Sequence, residues 1–284
     1  MFQKLTIFGP GLLGGSLGMA VKERKLAKHV TVWARRAEAI TDAVKRGVAD
    51  DGTLDATAAV KGADLVVLAT TIGVMEKLAR DIAPHLKPNT IVTDVGSVKY
   101  SVVTALEHVL NGKARFVGSH PMAGSEESGV SAAQANLFED AVCILTPTDN
   151  SDKDALMKLT QFWEAIGMKV RSLSPAEHDE MVARVSHLPH LVAAALVNYA
   201  CQSGKGALDF CGNGFRDTTR ISAGPAEMWK EISMVNRDEL RRALDALIEE
   251  LALARQMLEN KDEVSLLAFL RRARSLREEM KFRQ

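Results

Sequence analysis

Short β-branched and apolar runs alternate with amphipathic stretches through the first part of the chain. Residues 4–8, 30–33, 65–69, 90–93, 115–117 and 141–146 have strand length and strand composition. Between several of them, residues 13–24, 37–46 and 75–83 repeat their apolar positions with helical spacing. A polar loop at 147–152 precedes a helical pattern over 153–166, and residues 169–173 read as a last strand. Strands alternating with helices predict a parallel, doubly wound α/β sheet.

From Ser174 onward the pattern becomes helical throughout. Ser174-Pro175-Ala176-Glu177 is a capping box with proline at the first helical position. Over 238–258 the apolar residues Leu240, Leu244, Leu247, Leu251, Ala254 and Leu258 keep alternating spacings of four and three. That is a seam for another helix, within the chain or from a partner. Asn260-Lys261-Asp262 reads as a turn, followed by a second long helix over 264–280. The predicted division is 1–173, a dinucleotide-binding α/β domain, and 174–284, an all-α substrate and dimerisation domain.

Composition narrows the function classes. With 284 residues and 46% hydrophobic content the chain can bury two cores. Lys+Arg and Asp+Glu both number 36, so no general positive surface is available and nucleic-acid binding is not expected. Cys143, Cys201 and Cys211 are too few and too irregularly spaced for a disulfide framework or a structural zinc site. There is no signal-peptide pattern, and no apolar run approaches the ~18 residues of a membrane span. A cytoplasmic protein is expected.

The sequence Gly9-Pro10-Gly11-Leu12-Leu13-Gly14 has G-x-G-x-x-G spacing, after a strand and at the opening of a helix. Gly9 permits the tight turn, Gly11 lets the backbone approach a pyrophosphate, and Gly14 lets helix and sheet pack closely. Gly9, Gly11, Leu12, Leu13 and Gly14 are therefore candidate cofactor contacts, with Thr70 added from its place after the 65–69 run. An NAD-binding fold usually carries an acid at the end of the second strand to hold the ribose 2′-hydroxyl. Here Ala34 stands at that point, followed by Arg35 and Arg36, whose guanidiniums suit a 2′-phosphate. NADP is the predicted cofactor, with NAD the second candidate.

Three of the seven histidines occupy two unusual segments, Ser119-His120-Pro121-Met122-Ala123-Gly124 and Ser186-His187-Leu188-Pro189-His190. Histidine titrates near neutrality, so such clusters suit proton transfer. The first segment reads as a loop after a strand. The second reads as a helix that Pro189 should kink, since proline lacks the N–H and crowds the carbonyl of Val185. His187 and His190 would share one helix face.

Thr93-Asp94-Val95-Gly96-Ser97-Val98-Lys99, the Gly118–Gly129 segment, Ser186–His190 and Gly214-Phe215-Arg216-Asp217-Thr218-Thr219-Arg220 follow the glycine loop in that order. Together they resemble the prephenate/arogenate dehydrogenase family of tyrosine biosynthesis over essentially the whole chain. The resemblance implies an oxidative decarboxylation. Hydride passes from a cyclohexadienyl carbinol carbon to nicotinamide, the hydroxyl loses its proton, and carbon dioxide leaves as the ring becomes aromatic. It also implies that His120 accepts the hydroxyl proton and Ser97 helps orient that hydroxyl. Arg220 would bind a substrate carboxylate, His187 and His190 would line the cleft, and Glu126 would stand at its mouth. Arg216 stays open between a substrate contact and a surface or gating role. No metal is called for, and a homodimer through the C-terminal helices is implied. Room for an added mutase or regulatory domain is not apparent.

Two other readings stay open from the sequence. A 3-hydroxyacid-type dehydrogenase would share the layout but leaves the His120 and His187–His190 segments without a role. A dinucleotide-sensing protein would need the glycine loop but not His120, Ser97 and Arg220 together. The chain does not separate prephenate from arogenate, although NADP use inclines toward arogenate.

Overall fold

The computed structural model describes residues 1–124, 127–202 and 204–281. The elements in chain order are β1 (Phe2–Phe8), α1 (Leu12–Glu23), β2 (Ala27–Trp33), α2 (Ala37–Lys45), β3 (Asp51–Thr53), α3 (Ala56–Ala59), β4 (Leu65–Leu68), α4 (Ile72–Ile82) and β5 (Ile91–Asp94). They continue with α5 (Tyr100–Leu110), β6 (Arg115–Phe116), β7 (Gly118–Pro121), β8 (Val142–Thr146), α6 (Lys153–Ile166) and β9 (Lys169–Ser172). The helices α7 (Pro175–Val182), α8 (Leu188–Ala200), α9 (Asn213–Thr219), α10 (Ala226–Val235), α11 (Arg237–Glu259) and α12 (Glu263–Lys281) follow.

Among the described residues, β1 to β6 form a parallel sheet in the order β3-β2-β1-β4-β5-β6. The alternation of side chains explains why both faces are dry. Leu5, Ile7, Val30, Val32, Leu65 and Val67 enter one core, against α1 and the Phe162 and Trp163 rings of α6. Phe8, Val66, Leu68 and Val92 enter the other, against Met75 and Leu78 of α4 and Val102 and Leu106 of α5. Strands buried on both faces read as nearly continuous apolar runs, which is what the sequence carries there. The strand order reverses between β1 and β4, the switch point at which such sheets bind ligands beyond their carboxyl ends.

The structure differs from the sequence reading in two places. Gly118–Pro121 is not a loop: it is β7, paired antiparallel with β8, which in turn pairs parallel with β9 in a second, smaller sheet. The chain changes sheets at Val117, whose N–H still donates to Val92 (3.1 Å) while its carbonyl accepts from the Thr93 hydroxyl (2.7 Å). The helical interruption near Pro189 is a π-helical turn, Ala183–His187, between α7 and α8 rather than a simple kink. The wider turn accommodates a ring that lacks its N–H and would crowd Val185 in an α-helix. Among the described residues strands end at Ser172, and by compactness the chain divides into Met1–Arg237 and a second unit from Asp238. The helices after β9 stay with the sheets because Asp179 of α7 caps α5, while the Glu231 carboxylate of α10 accepts from the Gly73 N–H of α4.

The second unit holds α11 and α12, joined through Lys261 at φ 54° and an Asp262 cap on Ser265 (3.0 Å). Its seam is largely uncovered within the single chain. Leu251, Leu258, Leu267 and Leu270 are all exposed. No described helix is long and apolar enough to cross a membrane.

Candidate active site

The carboxyl ends of the strands meet in one row. Gly9 N–H donates to Trp33 (2.9 Å), Ala69 N–H to Phe8 (2.8 Å) and Val95 N–H to Leu68 (3.1 Å). These bonds tie together the segments after β2, β1, β4 and β5, and so the glycine loop, Thr70 and the loop bearing Ser97.

At one end of the row lies an open cavity of about 950 Å³. Gly9 and Gly11, Ala34 to Arg36, Thr70 and Val130 are among its lining residues. The three glycines have different tasks. Gly9 sits at φ +93°, and a Cβ there would stand 2.7 Å from the Ala69 carbonyl oxygen. A Cβ on Gly14 would come within 2.1 Å of the Gly9 carbonyl oxygen, so Gly14 holds α1 against the loop. A Cβ on Gly11 would meet nothing within 4 Å. That open face, at the amino end of α1, fits a pyrophosphate, with unpaired N–H groups and the positive end of the helix dipole toward it. Leu12 and Leu13 begin α1 and are not in the cavity lining; Arg35 and Arg36 are in it, exposed, beside the uncharged tip at Ala34. Arg46, at the other end of α2, lines it too, a cation that the sequence reading passed over.

The imidazoles form a second group, outside that lining. His120 on β7 is 7% exposed, and its Nδ1 lies 2.8 Å from His178 Nε2. His178 Nδ1 lies 2.7 Å from Asp179 Oδ1. The Asp179 carboxylate also accepts from Lys99 N–H at Oδ1 (2.7 Å) and Tyr100 N–H at Oδ2 (2.9 Å), where a helix start favours negative charge. The Asp179 carbonyl accepts from the Asn236 amide (2.9 Å), which also contacts His187 Nδ1 (3.1 Å). The His187 ring meets Trp229 edge to face at 6.3 Å, and His190 stacks on the same indole at 3.6 Å. Trp229 thus contacts both histidine rings.

Burial pushes the His120 imidazole well below its ordinary range, and His178, Lys99 and His187 add to the effect. His178 is also lowered by burial, partly offset by its bond to Asp179. Burial takes His187 down to about 4, with Asp179 and the Ser97 backbone opposing it, and lowers His190 in the same way. Each of these shifts favours the neutral ring at pH 7. His187 Nε2 is buried and makes no hydrogen bond among the described residues.

Beneath the rings lies a fully buried ion pair between Lys99 and Asp94. Asp94 also accepts from Gly96 N–H (2.8 Å) and Ser119 N–H (3.3 Å), fixing the loop that presents the half-buried Ser97. Arg220 opens a 3₁₀ turn, Arg220–Ala223, with an exposed side chain; the Ile221 backbone beside it acts on His190. Arg216 is exposed on α9. Glu126 lies outside the described residues. Among those described, no group of three His, Cys, Asp or Glu side chains is placed to hold a metal ion.

The sequence reading missed His178, Asp179 and Asn236 altogether, and named Asp94 and Lys99 only as parts of a motif. One signal was present: α7 reads Pro-Ala-Glu-His-Asp-Glu-Met-Val, with His178 and Asp179 on the turn before buried Val182 where an apolar stripe is expected.

Residues 17–172 match the family model described as prephenate dehydrogenase, nucleotide-binding domain, and residues 174–272 match prephenate dehydrogenase, dimerization domain. The chain belongs to the prephenate dehydrogenase family. Among its relatives is the prephenate dehydrogenase of Bacillus subtilis, 35% identical over 100% of this chain and 78% of the relative. Among solved structures, prephenate dehydrogenase from Aquifex aeolicus in complex with hydroxyphenyl propionate and NAD+ aligns with a TM-score of 0.93 at 31% identity, covering 99% of each chain. Synechocystis arogenate dehydrogenase aligns with a TM-score of 0.85 at 30% identity, over 98% of this chain and 100% of the other. As a prephenate dehydrogenase family member the protein is an oxidoreductase with an α/β nucleotide-binding fold followed by helices.

Proposed function

We propose that the protein catalyses oxidative decarboxylation of prephenate and/or arogenate to 4-hydroxyphenylpyruvate and/or tyrosine, with NADP as hydride acceptor. The observation that carries this reading is a buried imidazole, His120 on β7, next to Ser119, which bonds Asp94 at the end of β5 in the sheet that bears the dinucleotide loop. NADP held at the glycine loop would supply the hydride acceptor. His120 takes the hydroxyl proton, and Ser97, held by the Asp94 loop, orients that hydroxyl. Arg220 binds a carboxylate through its planar guanidinium, while His187 and His190 line the pocket with Trp229. A neutral base is ready to accept a proton at pH 7, and losing it should cost about 10²–10⁴ in kcat.

Gly9, Gly11 and Gly14 hold the pyrophosphate turn, with Thr70 beside it. Arg35 and Arg36 favour a 2′-phosphate, and the uncharged Ala34 offers no acid to hold a free 2′-hydroxyl. The 174–284 segment supplies the substrate wall and, through the uncovered leucines of α11 and α12, a homodimer interface. A cytoplasmic location accords with this metabolic role.

The deciding experiment is side-by-side kcat/KM for prephenate and arogenate with NADP and NAD, read from reduced-cofactor absorbance. Turnover of neither substrate overturns the reading, as does near-normal kcat in His120→Asn. Arg220→Ala should raise KM far more than it lowers kcat. Equal or better efficiency with NAD, or unchanged NADP preference in the Arg35→Ala, Arg36→Ala double variant, refutes the NADP assignment. A monomer in sedimentation at micromolar concentration refutes the dimer.

A further inference from the structure

The hydrogen bonds around Asp179 dictate where the protons sit on two imidazoles, and they dictate opposite answers. A carboxylate can only accept, so the Asp179 Oδ1 contact with His178 Nδ1 (2.7 Å) requires the hydrogen on that nitrogen. His178 is fully buried, and burial favours its neutral form, in which Nε2 is bare and accepts. The 2.8 Å contact with His120 Nδ1 then places the His120 hydrogen on Nδ1 and leaves the lone pair on Nε2. The other branch starts from the Asp179 backbone. Its carbonyl can only accept, which fixes the Asn236 amide with Nδ2 toward it (2.9 Å). The same NH₂ faces His187 Nδ1 at 3.1 Å, so that nitrogen accepts and the His187 hydrogen lies on Nε2. That Nε2 is buried with no hydrogen bond of good geometry among the described residues, and the backbone group that acts on the ring is Ser97.

We propose that Asp179, acting through His178 and Asn236, is the positioning residue that sets the tautomers of the site: His120 presents a bare Nε2 as proton acceptor, and His187 presents Nε2–H as donor to an oxygen of the bound ligands. The inference rests on the reading of His120 as proton acceptor for its use, though not for its wiring. As His120 takes the hydroxyl proton at Nε2, its Nδ1–H stays bonded to His178. The Asp179 carboxylate, anchored by the Lys99 and Tyr100 N–H groups, then faces the new positive charge through one intervening ring, and no proton need reach it. Asn236 is 4% exposed and His187 is 1% exposed, so water does not compete for either contact.

The test is two-bond ¹H–¹⁵N correlation on the full chain labelled at histidine, at pH 7.5, with signals assigned by their loss in His120→Asn and His187→Asn. The expected spectrum shows His120 protonated at Nδ1 and bare at Nε2, and His187 the reverse. His120 protonated at Nε2, or His187 at Nδ1, overturns the proposal. Kinetics supply a second arm. His178→Leu breaks the chain and should lower kcat about 10–100-fold with KM changed less than about twofold. His178→Gln can donate to Asp179 and accept from His120, and should restore most of that loss. Equal kcat in His178→Leu and the parent overturns the proposal; if His178→Leu does not fold, the parent spectrum decides alone. The expected tautomers in a protein that turns over neither substrate would support the wiring and remove the activity instead.

Discussion

Protonating His187 should destabilise the fold by an amount the structure lets us work out. The ring is 1% exposed, and burial takes it from its ordinary 6.5 to about 4. A base whose folded pKa is depressed leaves stability intact above the unfolded value and loses it as pH falls through 6.5 toward about 4, because the unfolded chain binds the proton first. The difference between the two values amounts to about 3 kcal/mol over the whole window, of which about 2 kcal/mol is lost by pH 5. His120, His178 and His190 are lowered too, so the parent loses more than this. A difference of differences isolates His187: urea unfolding of the parent and of His187→Gln at pH 7.5 and pH 5.0, at one protein concentration because a dimer's stability depends on it. The parent should lose about 2 kcal/mol more than the variant between the two pH values. Equal losses would refute the claim that His187 is buried neutral.

Other expectations follow from particular contacts. Lys99→Met leaves the Asp94 carboxylate buried without its cation and should cost about 3–5 kcal/mol in urea unfolding, whereas the Lys99→Met, Asp94→Leu double variant should recover much of it; a double variant less stable than either single would contradict this. In kcat against pH, the acid limb should lie below 6.5, since His120 must be neutral to accept and burial, His178, Lys99 and His187 all disfavour its charged form. A limb at or above 6.5 would place the acceptor elsewhere. Gly11→Val fills the open face of the glycine loop and should raise the cofactor KM at unchanged Tm, while Gly14→Ala drives a methyl into the Gly9 carbonyl and should lower Tm; the reverse pattern would exchange the roles of the two glycines.

The parts of this molecule that were legible in the sequence are those whose physics is local. The helix α6 is bounded as its sequence says, because Asp152 caps its start and Gly167, at φ 103°, ends it. The glycine loop is legible for the same reason: its turn and its close approach to α1 are properties of adjacent residues. By contrast, α5 has no cap of its own, and its first N–H groups are satisfied by Asp179, 79 and 80 residues away. Strand β7 carries no apolar alternation. Ser119 and His120 are buried there because Thr93, Asp94 and His178 meet their polar atoms from other elements. The candidate site divides along the same line. His120, His187 and His190 could be picked out by residue type, but a free histidine has no preferred role as donor or acceptor. That role comes from Asp179, which long-range packing places between β7 and the π-helical turn. A single residue that caps a helix, holds one imidazole and steers another is thus invisible to any local pattern. Its substitution would disturb folding and chemistry together, which is why His178, touching only the second function, is the better place to separate them.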